Sequence, residues 1–162
     1  MYKGFIVLVL CVAGGAYAYA NSKKVSEDSV REFYKNDFDN TVQMNADALC
    51  GEMSADFKGF SEQFNQTATH DEACDSSKKV FDAIRKVKEA SNNEIAITYK
   101  VDVQKIEFDR DEHTATVEVA YTFNTLPVIK STGTRTDVLQ KVDGKVLLVS
   151  SKDHGLVQFG SQ

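Results

Sequence analysis

Tryptophan is absent from this chain, proline occurs once, at Pro127, and its nine glycines are scattered. No Pro- or Gly-rich linker therefore marks a domain boundary, and low-complexity or collagen-like architectures are excluded. No G-x-S-x-G, no Gly-rich phosphate loop and no H-E-x-x-H spacing occurs, so serine hydrolase, P-loop and zincin chemistries have no sequence support. Lys and Arg number 19 against 24 Asp and Glu, a net charge of −5. No basic stripe with interleaved aromatics stands out against that balance, and nucleic acid is not an expected partner. Asp109-Arg110-Asp111-Glu112-His113 opens like a calcium loop but lacks the ligand at its fifth place and the glycine at its sixth, and reads as a solvated turn. The histidines, His70, His113 and His154, have no acid or nucleophile at telling spacing and read as surface residues. No metal and no cofactor is expected.

What is present is an ordinary globular composition, 162 residues with 42% hydrophobic and 27% charged, enough for one domain with a proper core. The start is different. Lys3 precedes the unbroken apolar run Phe5–Ala13, Gly14-Gly15 follows, and small residues recur at Ala16, Ala18 and Ala20. A charged start, a short apolar centre and an A-x-A site describe a cleaved signal peptide over residues 1–20. The alternative is a retained anchor, since residues 4–22 carry no charge and reach the lower limit for spanning a bilayer. The expectation is a periplasmic or secreted protein, with membrane contact only if that segment is kept. The domain itself occupies 21–162.

Export makes the cysteines legible. Cys11 belongs to the leader, which leaves Cys50 and Cys74, an even pair that in an oxidising compartment reads as one disulfide, with two unpaired thiols as the alternative. Asn65-Gln66-Thr67 also fits a glycosylation sequon.

Ser26 is a good N-cap, with Glu27 and Asp28 in the first turn where the helix dipole favours acids. Val30, Phe33, Tyr34 and Phe38 share a face of a first helix that the turn-like Asn36–Asn40 should end. A second helical piece is expected from Thr41 or Asn45, with Ala48, Leu49, Met53 and Phe57 on one side, and a loop or frayed helix over Ser61–Thr69. Thr69-His70-Asp71-Glu72 is a capping box for a third helix, Asp71–Ala90, with Ala73, Ser77, Val80, Phe81, Ile84 and Val87 along one stripe. Its basic residues, Lys78 to Lys88, read as a solvated face.

Strand signals then take over. Ile95, Ile97, Tyr99, Val101 and Val103 alternate with polar residues, as do Ala115, Val117, Val119, Tyr121 and Phe123. The alternation slips before Ile106, and Ile106 and Phe108 continue inward only if a bulge sits near Gln104-Lys105, which would curve the sheet. Leu126-Pro127-Val128-Ile129 reads as an apolar loop and Gly133–Gln140 as a polar strand. Asp143-Gly144 between two apolar runs is a strong hairpin signal. Val146-Leu147-Leu148-Val149 is apolar on both faces, so Val146 and Leu148 are candidates for an interface with a second copy or an envelope partner.

This order of elements, with the run Gly133–Val149 forming a polar strand, a D-G turn and an apolar strand, resembles the nuclear transport factor 2-like (NTF2-like, SnoaL-like) superfamily. The resemblance implies an α+β cone: N-terminal helices packed on a strongly curved antiparallel sheet. Members of that superfamily include isomerases, small-molecule binders and secretion-machine domains, so fold does not decide function. An isomerase-like site in the cone would need a carboxylate base and a phenol or protonated acid for an oxyanion. Tyr34, Asp37, Tyr99 and Tyr121 are the candidates to face inward, although each also reads as a core aromatic or a capping acid. The favoured expectation is a non-catalytic binding or assembly module, possible as a homodimer. The alternative is an enzyme or ligand carrier using the cone pocket.

Overall fold

The structure, a computed structural model, describes residues 23–92, 95–125 and 129–159. The expected signal peptide over 1–20, or anchor over 4–22, and the 126–128 part of the expected apolar loop lie outside these residues. No helix of the described residues is long and apolar enough to cross a membrane.

Three helices, α1 (Glu27–Val42), α2 (Ala46–Cys50) and α3 (His70–Ala90), accompany seven strands among the described residues: β1 (Met53–Ser61), β2 (Gln66–Thr69), β3 (Thr98–Phe108), β4 (Thr114–Thr125), β5 (Ile129–Val142), β6 (Lys145–Asp153) and β7 (Leu156–Phe159). The capping box of Thr69 and Glu72 starts α3, and Ser26 with Ser29 forms a second one on α1. Asp143 and Gly144, at φ of 50° and 82°, form the expected turn between β5 and β6.

The sheet runs β2-β1-β6-β5-β4-β3, with β7 added on β5. It is mixed rather than wholly antiparallel, because β1 lies parallel to β6. The register between β3 and β4 shifts between Val103 and Lys105, the expected bulge, and brings Ile106 opposite Val117 and Phe108 opposite Ala115 on the inner face. Phe108 reaches the open end of that face and stays partly exposed. β5 is shared: Arg135–Val142 pairs with β6 and Ile129–Thr132 with β7. At the fork Gly133 and Gly155 approach so closely that a Cβ on Gly133 would overlap the Gly155 backbone.

Five expectations of local structure are corrected. α1 runs on through Asn36–Asn40 to Val42, since Asp37 and Asn40 find partners across the fold that outweigh their poor helix propensity. The second helical piece stops at Cys50, and Met53 and Phe57 belong to a strand, because parallel pairing with β6 captures the chain. Ser61–Thr69 is the tip of a hairpin with β2, whose turn holds Asn65 at φ 49°. The third strand begins at Thr98, and Ile129, expected in a loop, is the first buried residue of β5.

Two apolar clusters hold the layers together. Val25, Val30, Phe33 and Tyr34 pack on Ala115, Val117, Val119 and Leu139. Ala46, Phe81, Ile84 and Ile129 form the other, with Leu49 and Phe123 against them. Cys50 and Cys74 are joined as expected, at a Cα separation of 5.4 Å, and bind α2 to the first turns of α3.

Candidate functional site

The inner face of β4 and β5 shows where the site comes from. Register pairs Ala115, Val117, Val119, Tyr121, Phe123 and Thr125 with Leu139, Asp137, Arg135, Gly133, Ser131 and Ile129, all on one face by the two-residue period. That face is apolar at both ends and polar in the middle. α1 crosses the polar belt with Phe33, Tyr34, Asp37 and Thr41, which recur at helical spacing on its inner side.

The side chains meet around Arg135. Its Nε donates to Asp137 Oδ2 at 2.8 Å and its Nη2 to Asp37 Oδ2 at 3.2 Å. The same Asp137 oxygen accepts from the Tyr34 hydroxyl at 2.8 Å, and the same Asp37 oxygen from the Tyr99 hydroxyl at 2.7 Å. Asp137 is 0% exposed, and its other oxygen, Oδ1, has no hydrogen-bond partner among the described residues. The Tyr121 hydroxyl donates to Asp153 Oδ1 at 2.7 Å, and Ser131 donates to Tyr121 at 3.2 Å.

Beside this network lies a cavity of about 320 Å³. Phe33, Leu49, Met53, Phe81, Phe123 and Leu148 supply its apolar wall, and Asp37, Glu52, Tyr99, Tyr121 and Arg135 are among its polar residues. Its size falls at the lower end of small-molecule sites, which combine a mostly apolar lining with a few convergent polar groups.

The electrostatics follow from burial. Glu52 is raised to about 7, first by burial and then by the charge of Asp37, against the opposing hydrogen bond from Asn40. Burial alone would favour neutral Arg135, yet Asp137 and Asp37 hold it cationic well above its usual range. Tyr34 is raised chiefly by burial and then by Asp137, and Tyr99 chiefly by burial, with Asp37 adding to it against Arg135. Tyr121 is pushed up to about 12, mainly by burial. The three phenols are therefore neutral at physiological pH.

Of the four residues expected in the pocket, Asp37, Tyr99 and Tyr121 line the cavity, while Tyr34 stands behind it and reaches the network through Asp137. Val146 and Leu148, expected on an outer interface, are on the inner face instead. Both pack against the first apolar cluster, and Leu148 lines the cavity. The pleat of β6 turns Leu147 outward in their place. Sequence reasoning missed Arg135, Asp137, Glu52 and Asp153. The one local signal for the first two is a polar pair two apart in a strand, which places both on a single face. His154 also has a partner that spacing does not reveal, with Nδ1 2.7 Å from Glu62. Among the described residues no group of three or more His, Cys, Asp or Glu is placed to hold a metal ion.

No protein-family profile matches the chain, and no curated protein matches it in sequence. Solved structures do match in shape. A protein of unknown function from Shewanella oneidensis, described as NTF-2 like, shares a TM-score of 0.60 at 16% identity over 78% of this chain and 96% of that one. An NTF2-like protein from Cytophaga hutchinsonii gives 0.55 at 14% identity over 82% and 100%. A Novosphingobium aromaticivorans protein named as a candidate scytalone dehydratase gives 0.60 at 12% identity over 83% and 87%. The chain has the NTF2-like fold, as its element order led one to expect.

Proposed function

We propose that this chain binds a small organic molecule in the cone cavity and works outside the cytosol, as a periplasmic or secreted protein. The observation that carries the first half is the cavity itself: about 320 Å³, open, and walled by aromatic and aliphatic side chains around inward carboxylates and a guanidinium. A cone meant only as a scaffold for docking would more economically be filled by its own phenylalanines and tyrosines. The second half is supported by the Cys50–Cys74 bond, which persists in oxidising compartments.

Binding fits the geometry better than an isomerase- or dehydratase-like reaction. Glu52, with its pKa raised to about 7, is the carboxylate suited to proton transfer. An oxyanion formed opposite it would have to rely on Arg135, whose charge Asp137 and Asp37 already oppose, because the Tyr99 and Tyr121 hydroxyls donate to Asp37 and Asp153. A catalytic phenol has its proton available to the substrate.

Protein-observed NMR with a library of small fragments tests the cavity. Binders should perturb Leu49, Met53, Phe81 and Phe123, and Ser77→Phe, which fills the space beside Phe81, should abolish those responses. Fragments that map elsewhere, or that bind the filled variant equally well, would overturn the reading. Intact mass of the exported protein, with and without reduction, tests the compartment: cleavage after Ala18 or Ala20 and a two-proton mass gain on reduction are expected.

A further inference from the structure

The direction of the hydrogen bonds inside the cavity narrows the class of ligand. Tyr99 donates to Asp37, Tyr121 to Asp153, Ser131 to Tyr121, and Ser77 to the carbonyl of Ala73. Each of these four hydroxyls has one proton, and each directs it into the protein, so what the four offer the cavity is lone pairs, with Thr41 the other hydroxyl of the lining. Asp37 accepts both of its bonds on Oδ2 and Glu52 accepts from Asn40 on Oε1, which leaves Asp37 Oδ1 and Glu52 Oε2 as further acceptors. Arg135 is the one cationic side chain lining the cavity among the described residues, and its Nε and Nη2 already serve Asp137 and Asp37. The carboxylates of Asp37 and Asp137 stand against it, so two acids oppose one cation at the polar end before Glu52 is considered. Phe33, Phe81, Tyr99, Tyr121 and Phe123 add aromatic surface to the same lining.

We infer that the ligand is a small organic amine, bound as its ammonium with the N–H groups on the Asp37 and Glu52 carboxylates and its apolar body against the aromatic wall. The inference rests on the cavity being a ligand site. A carboxylate or phosphate ligand would face lone pairs and like charge on most of the polar wall. An ammonium meets acceptors and aromatic faces, both of which favour it.

The pH dependence gives an independent readout. Glu52 faces Glu32, Asp37 and Asn40 on α1, Arg135 and Lys141 on β5 and Lys145 on β6. Burial and then Asp37 hold its proton on, the hydrogen bond from Asn40 and the charge of Lys145 draw it off, and the balance leaves it at about 7. An ammonium beside it favours the ionised form, so amine affinity should rise from pH 6 to pH 8 with release of a proton.

The test uses benzylamine, benzyl alcohol and benzoate, which share one ring and differ in the charge of the head group, titrated into the mature oxidised protein by NMR. At pH 8 benzylamine should bind at least about tenfold more tightly than benzoate, the scale of one charge-assisted hydrogen bond. Glu52→Gln should weaken benzylamine more than benzyl alcohol and flatten the pH dependence of the amine. Benzoate binding in the cavity as tightly as benzylamine would overturn the inference while leaving the cavity a ligand site. If none of the three perturbs the cavity residues, inference and ligand site fall together.

Discussion

Replacing Arg135 by methionine keeps most of its volume and removes its charge. Asp137 is then left fully buried with the Tyr34 hydroxyl as its remaining hydrogen-bond partner among the described residues, since its Oδ1 already lacks one. Breaking a buried ion pair by removing one partner costs about 3–5 kcal/mol, because the other charge is stranded. Against a typical domain stability of roughly 5–15 kcal/mol this is a large share. For a chain of this size it lowers Tm by roughly 10–15 °C. Urea titration followed by far-UV circular dichroism should show the midpoint falling while the slope is retained, the sign of a pure stability change. The double variant R135M/D137N separates charge from packing. Asparagine still accepts from Tyr34 without leaving a charge behind, so the double variant should be more stable than the two single effects added together predict, by about 2 kcal/mol. R135K should fall between wild type and R135M, because an ammonium keeps the charge but lacks the fork that reaches both Asp137 and Asp37. Additivity of R135M and D137N, or a loss below about 1 kcal/mol for R135M, would refute the idea that this guanidinium neutralises a buried carboxylate.

Glu52→Gln should change how stability depends on pH. The folded-state pKa of Glu52 is raised from 4.5 to about 7, so the stability it contributes is present below pH 4.5 and is lost as pH rises through 7. E52Q should therefore be the more stable protein at pH 8, by about 1–2 kcal/mol once the half-exposed position is allowed for, and lose that advantage by pH 5, as read from urea midpoints across the range. Reduction of Cys50–Cys74, or Cys74→Ser, opens a closed loop with a sequence separation of 24. Calorimetry should register a cost of about 3–4 kcal/mol. Gly133→Ala should destabilise by more than a surface Gly→Ala change, because the methyl group collides with the Gly155 backbone, itself packed under Tyr121. Its NMR signature should be displacement of Tyr121 and Asp153, with α1 unmoved.

What was legible in the sequence was local. The capping box at Thr69, the Asp143-Gly144 turn and the alternation through Val117 and Val119 each state their structure within a few residues, and each appears as expected. The hairpin of β1 and β2 was not legible. Leu49, Met53 and Phe57 lie four apart and satisfy a helix, while Met53, Ala55 and Phe57 satisfy a strand. Pairing with β6, remote in the chain, decides between them. Arg135 and Asp137 were invisible for a related reason. A charged residue in a strand reads as solvent-facing until its partners are known, and those partners, Tyr34 and Asp37, lie on a helix about a hundred residues earlier. Conversely, Tyr99, Tyr121 and Asp37 were placed toward the cone, and they line its cavity, because the alternation on β3 and β4 fixes which face each tyrosine occupies.

The polar belt and the cavity beside it are costly to build. Leucines at 135 and 137 would pack the two apolar clusters into one, and buried ion pairs of this kind are often no more stable than such packing. An arrangement that forgoes this gain and leaves space next to the charges is better explained by a ligand than by the fold's own needs. The disulfide belongs to the same argument. Cys50 lies between Leu49 and Glu52 on one wall of the cavity, and Cys74 lies one turn before Ser77 and two before Phe81 on the facing wall. A covalent bond there fixes the spacing of α2 and α3 before anything binds, and a pocket formed in advance binds its occupant without the entropic cost of forming.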